Sequence, residues 1–389
     1  MVRMDAPFPL DPNEFADTPL FREMQRVLAS SSGPVNWELA RQVGIAAAQD
    51  GRPDPAATDD DQRSFEEAAR VAELQVARIT GLEPPGDVAP VAAIRRAEWV
   101  TASVEGLRDS IEPAAAKAGA AFGDLAGAAV PADAAAGIQL LGQLSPLLLG
   151  AQVGAVLGEL GARALGRYDI PVPHAGPEHL DFVAVSVSGF ERDWSLDPTE
   201  FRVFVAFHEV TLRFAFARPW TRARFGELLQ DFFSTLTIDV EGMRVALERL
   251  DASNPESIQE LMSGDPGLFG TVLDDEQRLK LGRIQAFLAT ASGYADHVTK
   301  TLAAELLPSH ARIEEAMLRH REDASSDAVF ERLLGVEVEP DRYSSARTFC
   351  ETVAELADQA TLARIWEGAD ALPSLPELDE PRLWLARTV

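Results

Sequence analysis

Residues Asp197–Trp220 read DPTEFRVFVAFHEVTLRFAFARPW, and the whole reading turns on them. Asp197 before Pro198 is a helix start: a carboxylate that can accept from the free N–H groups of the first turn, then a proline at the first helical position. Glu200 lies three residues on, the spacing of a capping box, near the positive end of the helix dipole. Phe204, Val205, His208, Leu212, Ala215 and Phe216 recur at helical spacing, and Pro219 ends the run. The prediction is one helix with an apolar stripe that contains a histidine.

His208 is followed directly by Glu209. Two histidines four residues apart on a helix share a face and can both bind Zn²⁺, and a Glu after the first can activate the metal-bound water. Here the fourth residue after His208 is Leu212, whose side chain cannot ligate. His208 can also be a core histidine bonded to a nearby acceptor. Glu209 has Arg213 four residues on as an ion-pair partner, or is a buried acid with a raised pKa. Leu212 reads as filler for the space an unpartnered ring would leave.

The 389 residues are enough for one large domain or two to three smaller ones, and 46% apolar content excludes a disordered chain. Against 35 Lys and Arg stand 62 Asp and Glu, a net charge of −27. Phosphate backbones and anionic lipid surfaces both need a basic face, so neither nucleic acid nor a membrane surface is an expected partner. Cys350 is the only cysteine, which excludes an internal disulfide and a cysteine-based metal site. The first 30 residues lack a basic start followed by an apolar run, and the cytoplasm is the expected compartment. Ile138–Leu157 carries no charge, and glycines recur at 150, 154 and 158, as in a membrane helix. Gln139, Gln143, Ser145, Pro146 and Gln152 favour instead two buried helices broken near Pro146, the second packing through its glycines.

Along the rest of the chain helices dominate. A short one is expected over Phe21–Ala29, another capped by Asn36, and others over Ser64–Thr80, around Trp99–Leu107 and along the alanines to Ala129. Asp59–Asp61 reads as a solvated helix start rather than a metal site. Asp181–Phe190, with Val183, Val185 and Val187 alternating, is the best strand candidate. Helical patterns return over Glu227–Leu250, Asp274–Leu307 and Glu314–Glu322. His174, His179, His310 and His320 fall in loop or charged contexts and read as solvated. No phosphate-binding glycine loop or Gly-x-Ser-x-Gly elbow is present.

Several pieces, in order, resemble a family: NWELA (36–40), GAQVGAVLGELGARALGRYDIPVP (150–173), FRVFVAFHEVTLRF (201–214), SGYADHV (292–298), LLGVEVEPDRY (333–343) and WEGADALPSLPELDEPRLWL (366–385). Together they resemble the zincin-like metallopeptidases of type 2. The resemblance implies a mainly α, zincin-like helical metallopeptidase scaffold with a short β element. It implies a single large domain over 35–389 behind an extension of 1–34, with a helical part 35–169 and a motif-bearing part 170–389. It implies a zinc cofactor held by His-Glu-x-x-His and by the Glu of a later Glu-Gly-aromatic helix.

That carry-over makes His208 the first metal ligand and Glu209 the general base. Leu212 stands at the second ligand, and Ser292-Gly293-Tyr294 at Glu-Gly-aromatic. Two of three expected ligands are replaced, so zinc is expected to be absent or weakly bound. A rebuilt set would use Asp296, one turn after Ser292, with Glu209 or the adjacent His297 assisting. Three readings follow: a catalytically degenerate relative that binds a peptide or protein or serves as a scaffold, an active hydrolase with a rebuilt ligand set, and a structural interaction protein.

Overall fold

The computed structural model describes residues 33–86, 90–127, 132–169, 173–175, 179–235, 274–322 and 342–388. The elements in order are α1 (Trp37–Gln49), α2 (Asp59–Thr80), β1 (Val91–Ile94), α3 (Arg96–Gly127), α4 (Ala132–Gly161), β2 (Leu180–Val183), α5 (Ala184–Asp193), α6 (Pro198–Phe216), α7 (Pro219–Thr235), α8 (Asp275–Leu306), α9 (His310–Glu322) and α10 (Arg342–Leu356). Short turns α11 (Gln359–Ala363), α12 (Leu375–Asp379) and α13 (Pro381–Thr388) complete the described chain. The expected short helix at 21–29, and the helical pattern beyond residue 235 up to 250, lie outside the described residues.

The helix starts follow local chemistry. The Asn36 side chain accepts from Leu39 N at 2.9 Å, and Asp197 from Glu200 N at 3.0 Å. Thr58 and Asp61 form a reciprocal capping box, so the Asp59–Asp61 run is a helix start as expected. Glu200 does not complete the matching box on α6. Its carboxylate instead accepts from Ser309 N at 2.8 Å and Ser309 Oγ at 2.6 Å, tying the start of α6 to the turn before α9.

Two expectations are corrected. The expected break near Pro146 does not occur; α4 runs unbroken through it. Pro146 has no N–H for the carbonyl of Gly142, and the Ser145 hydroxyl donates to that carbonyl at 3.0 Å instead. The Asp181–Phe190 segment is only a strand as far as Val183; it then turns into α5. Ala184, Ser186, Val187, Phe190 and Glu191 are the buried positions there, and 184, 187, 190 and 191 keep a helical spacing that the valine alternation concealed. β2 pairs in parallel with β1, Val91 opposite Leu180 and Ile94 opposite Val183.

Two cores result. One gathers α2, α6, the later half of α8, α10 and the C-terminal turns around Phe65, Phe207, Tyr294, Phe349, Trp366 and Trp384. The other gathers α1, α3, α4, α7 and the first half of α8 around Trp99, Leu157, Phe232 and Phe287. In the second core α4 lies on α1 through its glycines. A Cβ at Gly150 would sit 2.4 Å from Asn36 O, and one at Gly154 2.3 Å from Ala40 O. The window Gly142–Gly161 has the length and composition of a membrane span, and 44% of it is buried inside the fold. α8 passes through both cores, and β2 places Phe182 in the first and Val183 in the second.

Candidate functional site

α6 is enclosed along its middle: every residue from Phe204 to Ala215 is buried. It packs against α2 on one side and α8 on another. Successive side chains on a helix diverge by about 100°, so His208 and Glu209 leave the helix in different directions, and both end in the interior.

His208 turns towards α8. Its Nε2 lies 3.5 Å from Asp296 Oδ1, with the two side chains 8% and 13% exposed. Glu209 turns towards the segment that crosses β2. Its Oε2 accepts from Tyr168 N at 2.8 Å. Its Oε1 is buried without a hydrogen bond and lies 3.9 Å from His208 Nδ1. Burial pushes the Glu209 carboxyl above the ordinary carboxylate range; His208 and the Tyr168 N–H act against that shift, and Asp169 adds to it.

The crossing segment is fixed by its own bonds. Val183 N donates to Leu165 O at 2.9 Å and Arg167 N to Asp181 O at 3.0 Å. The Trp99 indole donates to Gly166 O at 3.0 Å. Gly166 lies directly on the Glu209 carboxylate, where a Cβ would be 2.4 Å from Glu209 Cδ. Gly166 and Tyr168 are site residues that the motif search missed, since they hold Glu209 from 43 and 41 residues away in sequence. A glycine directly before the polar Arg167-Tyr168-Asp169 run was the signal available.

The remaining candidates are placed as follows. Leu212 is buried in the first core, 2% exposed. Ser292 is buried one turn before Asp296, and Gly293 lets α10 approach: a Cβ there would meet the Ala346 carbonyl carbon at 2.7 Å. Tyr294 packs edge-on against Trp366 with centroids 5.5 Å apart. His297 is directed at Gln359, its Nε2 2.6 Å from the amide nitrogen, and burial lowers its pKa. The expected Glu209–Arg213 pair is not formed; Arg213 meets Glu73 of α2 at 2.9 Å, because Glu209 faces the crossing segment. Two of the histidines read as solvated are packed: His174 is edge-on to Trp99 and 3.0 Å from Ser103 Oγ, and His320 is edge-on to Phe190. Cys350 is buried, and that burial pushes its thiol pKa up.

The family profile of the zincin-like metallopeptidases matches residues 35–385. The chain belongs to the zincin-like metallopeptidase family. Among solved structures it is similar to a protein from Chloroflexus aurantiacus described as a "putative hydrolase with a novel fold". The two share 25% identity over 91% of this chain and 98% of the other, with a TM-score of 0.67. No curated protein matches the chain.

A catalytic zinc in a zincin-like metallopeptidase needs three protein ligands and an open position. Among the described residues no group of three or more His, Cys, Asp or Glu side chains is arranged to hold a metal. His208 and Asp296 supply two donors. Glu209 is committed to Tyr168 N, and the positions that would add ligands are Leu212 and Ser292. A leucine side chain has no donor atom, so the described residues do not fit a three-ligand zinc centre.

Proposed function

We propose that this zincin-like protein has exchanged its metal centre for a His208–Asp296 polar contact, and that it works by binding a peptide or protein rather than by hydrolysing it. The observation that carries the reading is the interior around His208. Its imidazole faces a carboxylate at 3.5 Å, while Leu212 packs in the apolar core one turn away. A carboxylate beside a buried imidazole faces a ring N–H or an imidazolium, so the ring has a polar neighbour without a metal. With no metal to ionise a water, the buried Glu209 has no nucleophile to activate, and its bond to Tyr168 N makes it a positioning group for the crossing segment.

One observation favours a second reading. Two donors bound to one tetrahedral zinc at about 2.0–2.2 Å lie roughly 3.4 Å apart, and His208 Nε2 and Asp296 Oδ1 are separated by 3.5 Å. That spacing supports a rebuilt ligand pair in an active hydrolase.

Zinc content separates the two. The protein is incubated with excess zinc, desalted and analysed for metal. The first reading expects well under one zinc per chain, and the double variant Leu212→His, Ser292→Glu is expected to raise it towards about one. About one zinc per wild-type chain, lost in both His208→Ala and Asp296→Asn, would establish the rebuilt site and sink the first reading.

A further inference from the structure

A large concave feature among the described residues lies away from His208 and Asp296. It is a cavity of about 1150 Å³, bounded by the loop before α2, by α4 and by the first turns of α3 and α5. Its position follows from the sheet. β1 and β2 run parallel, with Ile94 opposite Val183 at their carboxyl ends. Each strand leads at once into a helix, β1 into α3 at Arg96 and β2 into α5 at Ala184. Two helix N-termini therefore open at the same end of the sheet, where backbone N–H groups and helix dipoles favour negative charge.

The two termini differ. α3 is already served: Asp54, from the loop before α2, accepts from Arg96 N and from Ala97 N, each at 3.1 Å. α5 has no side-chain cap; its N-cap residue is Val183, and the next residues, Ala184, Val185 and Ser186, line the cavity. Arg96 joins the two helices. Its side chain lines the same cavity, the residue is 7% exposed, and Nε donates to Ser186 Oγ at 3.1 Å. A neutral hydroxyl does not balance a guanidinium. Among the described residues no carboxylate oxygen lies within 4.0 Å of its nitrogens, and its Nη groups make no hydrogen bond. Two of the three other arginines on the wall, which are Arg52, Arg163 and Arg192, differ in this respect. Arg163 pairs with Glu159 at 3.6 Å, and Arg52 at the mouth with Asp50 at 3.5 Å. Burial, with the Arg52 charge nearby, pushes the Arg96 pKa down, and the Asp54 carboxylate acts against that shift.

We propose that this cleft binds an oxyanion, the carboxylate or phosphate group of a small organic ligand, between the Arg96 guanidinium and the uncapped N-terminus of α5. Ser186 holds the guanidinium by Nε and leaves Nη1 and Nη2 as an end-on fork that matches two oxygens of one such group. The alanine and proline residues of the cavity wall, with Phe190, give the ligand an apolar place for its body. The site shares no residue with the His208–Asp296 pair, so it stands or falls separately from the proposed loss of the metal centre.

The test is titration calorimetry on the full chain with two probes, inorganic phosphate and N-acetylalanine, at an ionic strength held constant with sodium chloride. Saturable binding of at least one probe is expected, weakened about tenfold or more in Arg96→Lys, which keeps the charge but loses the fork. Phosphate alone binding assigns a phosphoryl ligand; N-acetylalanine alone binding assigns a carboxylate. If Arg96→Lys does not fold, Ser186→Ala is read instead, since it removes the hydrogen bond that holds the guanidinium by Nε and is expected to weaken binding. No saturable response to either probe, or equal affinity in the wild type and the folded variant, would overturn the proposal.

Discussion

At Glu209 the protein holds an acid where water cannot reach it. Its carboxyl has a pKa raised above 4.5, chiefly by burial. The unfolded chain gives up that proton near 4.5, whereas the folded chain keeps it to higher pH. Over that window the folded state binds more protons, so this residue's contribution to stability falls as pH rises. Glu209→Gln keeps an acceptor for Tyr168 N and removes the titration. The variant is expected to match the wild type in urea unfolding below pH 4.5 and to exceed it in midpoint near neutral pH. A variant less stable than wild type at neutral pH, yet equal to it in acid, would contradict this account. Gly166 makes a second test of the same contact. Gly166→Ala is expected to cost about 1–3 kcal/mol by overpacking. Much of that cost should vanish when Glu209→Ala is present, because the colliding carboxylate is then gone.

Among the elements, the seam between α1 and α4 tolerates little added volume. The atoms that a Gly154 side chain would meet are backbone atoms of Ala40, which cannot rotate away. Gly154→Leu is therefore expected to lower stability by at least the upper part of the roughly 1–3 kcal/mol usual for overpacking, measured by thermal or urea unfolding. Leu212→Ala tests the opposite case, a void inside α6. A loss of about 2–5 kcal/mol is expected from a leucine packed on all sides. A loss well under 1 kcal/mol would mean that Leu212 borders an open site rather than filling a core. The helices themselves were legible because their signals are local: Asn36 and Asp197 cap, Pro198 starts α6, and Pro219, expected to end it, follows its end at Phe216 and starts α7. Of the strands, β2 was legible in part, at the start of Asp181–Phe190; β1 was not, since it is four half-buried residues without alternation, stabilised by a partner almost ninety residues away.

Taken whole, the molecule is built on α8, whose first half packs among Phe225, Phe232 and Leu229 and whose second half, through its own Tyr294, packs with Trp366 and Phe349. A helix shared by two cores couples them, and unfolding by calorimetry is expected to show one transition. The C-terminal turns belong to that coupling: the Trp384 indole is fully buried and donates to Ala371 O at 2.7 Å. Trp384→Ala is expected to cost about 3–5 kcal/mol and to lower the single transition as a whole. Two resolved transitions, only one of them shifted, would show that α8 does not couple the cores.

The sequence by itself determined the mainly helical class, the cap residues and the presence of His208-Glu209 without a second histidine, because each rests on local spacing or on the chemistry of single side chains. It also brought Asp296 forward, as the acid one helical turn beyond Ser292. Only the tertiary structure decided which groups meet. It set His208 against Asp296, gave Glu209 to Tyr168 N and Arg213 to Glu73, and turned His297 towards Gln359. It also opened two helix N-termini at one end of a parallel strand pair, with Arg96 between them. Spacing along one helix fixes the direction in which a side chain leaves, but not what the next helix presents there. That depends on how the cores pack, and the partners lie tens to hundreds of residues apart in the chain.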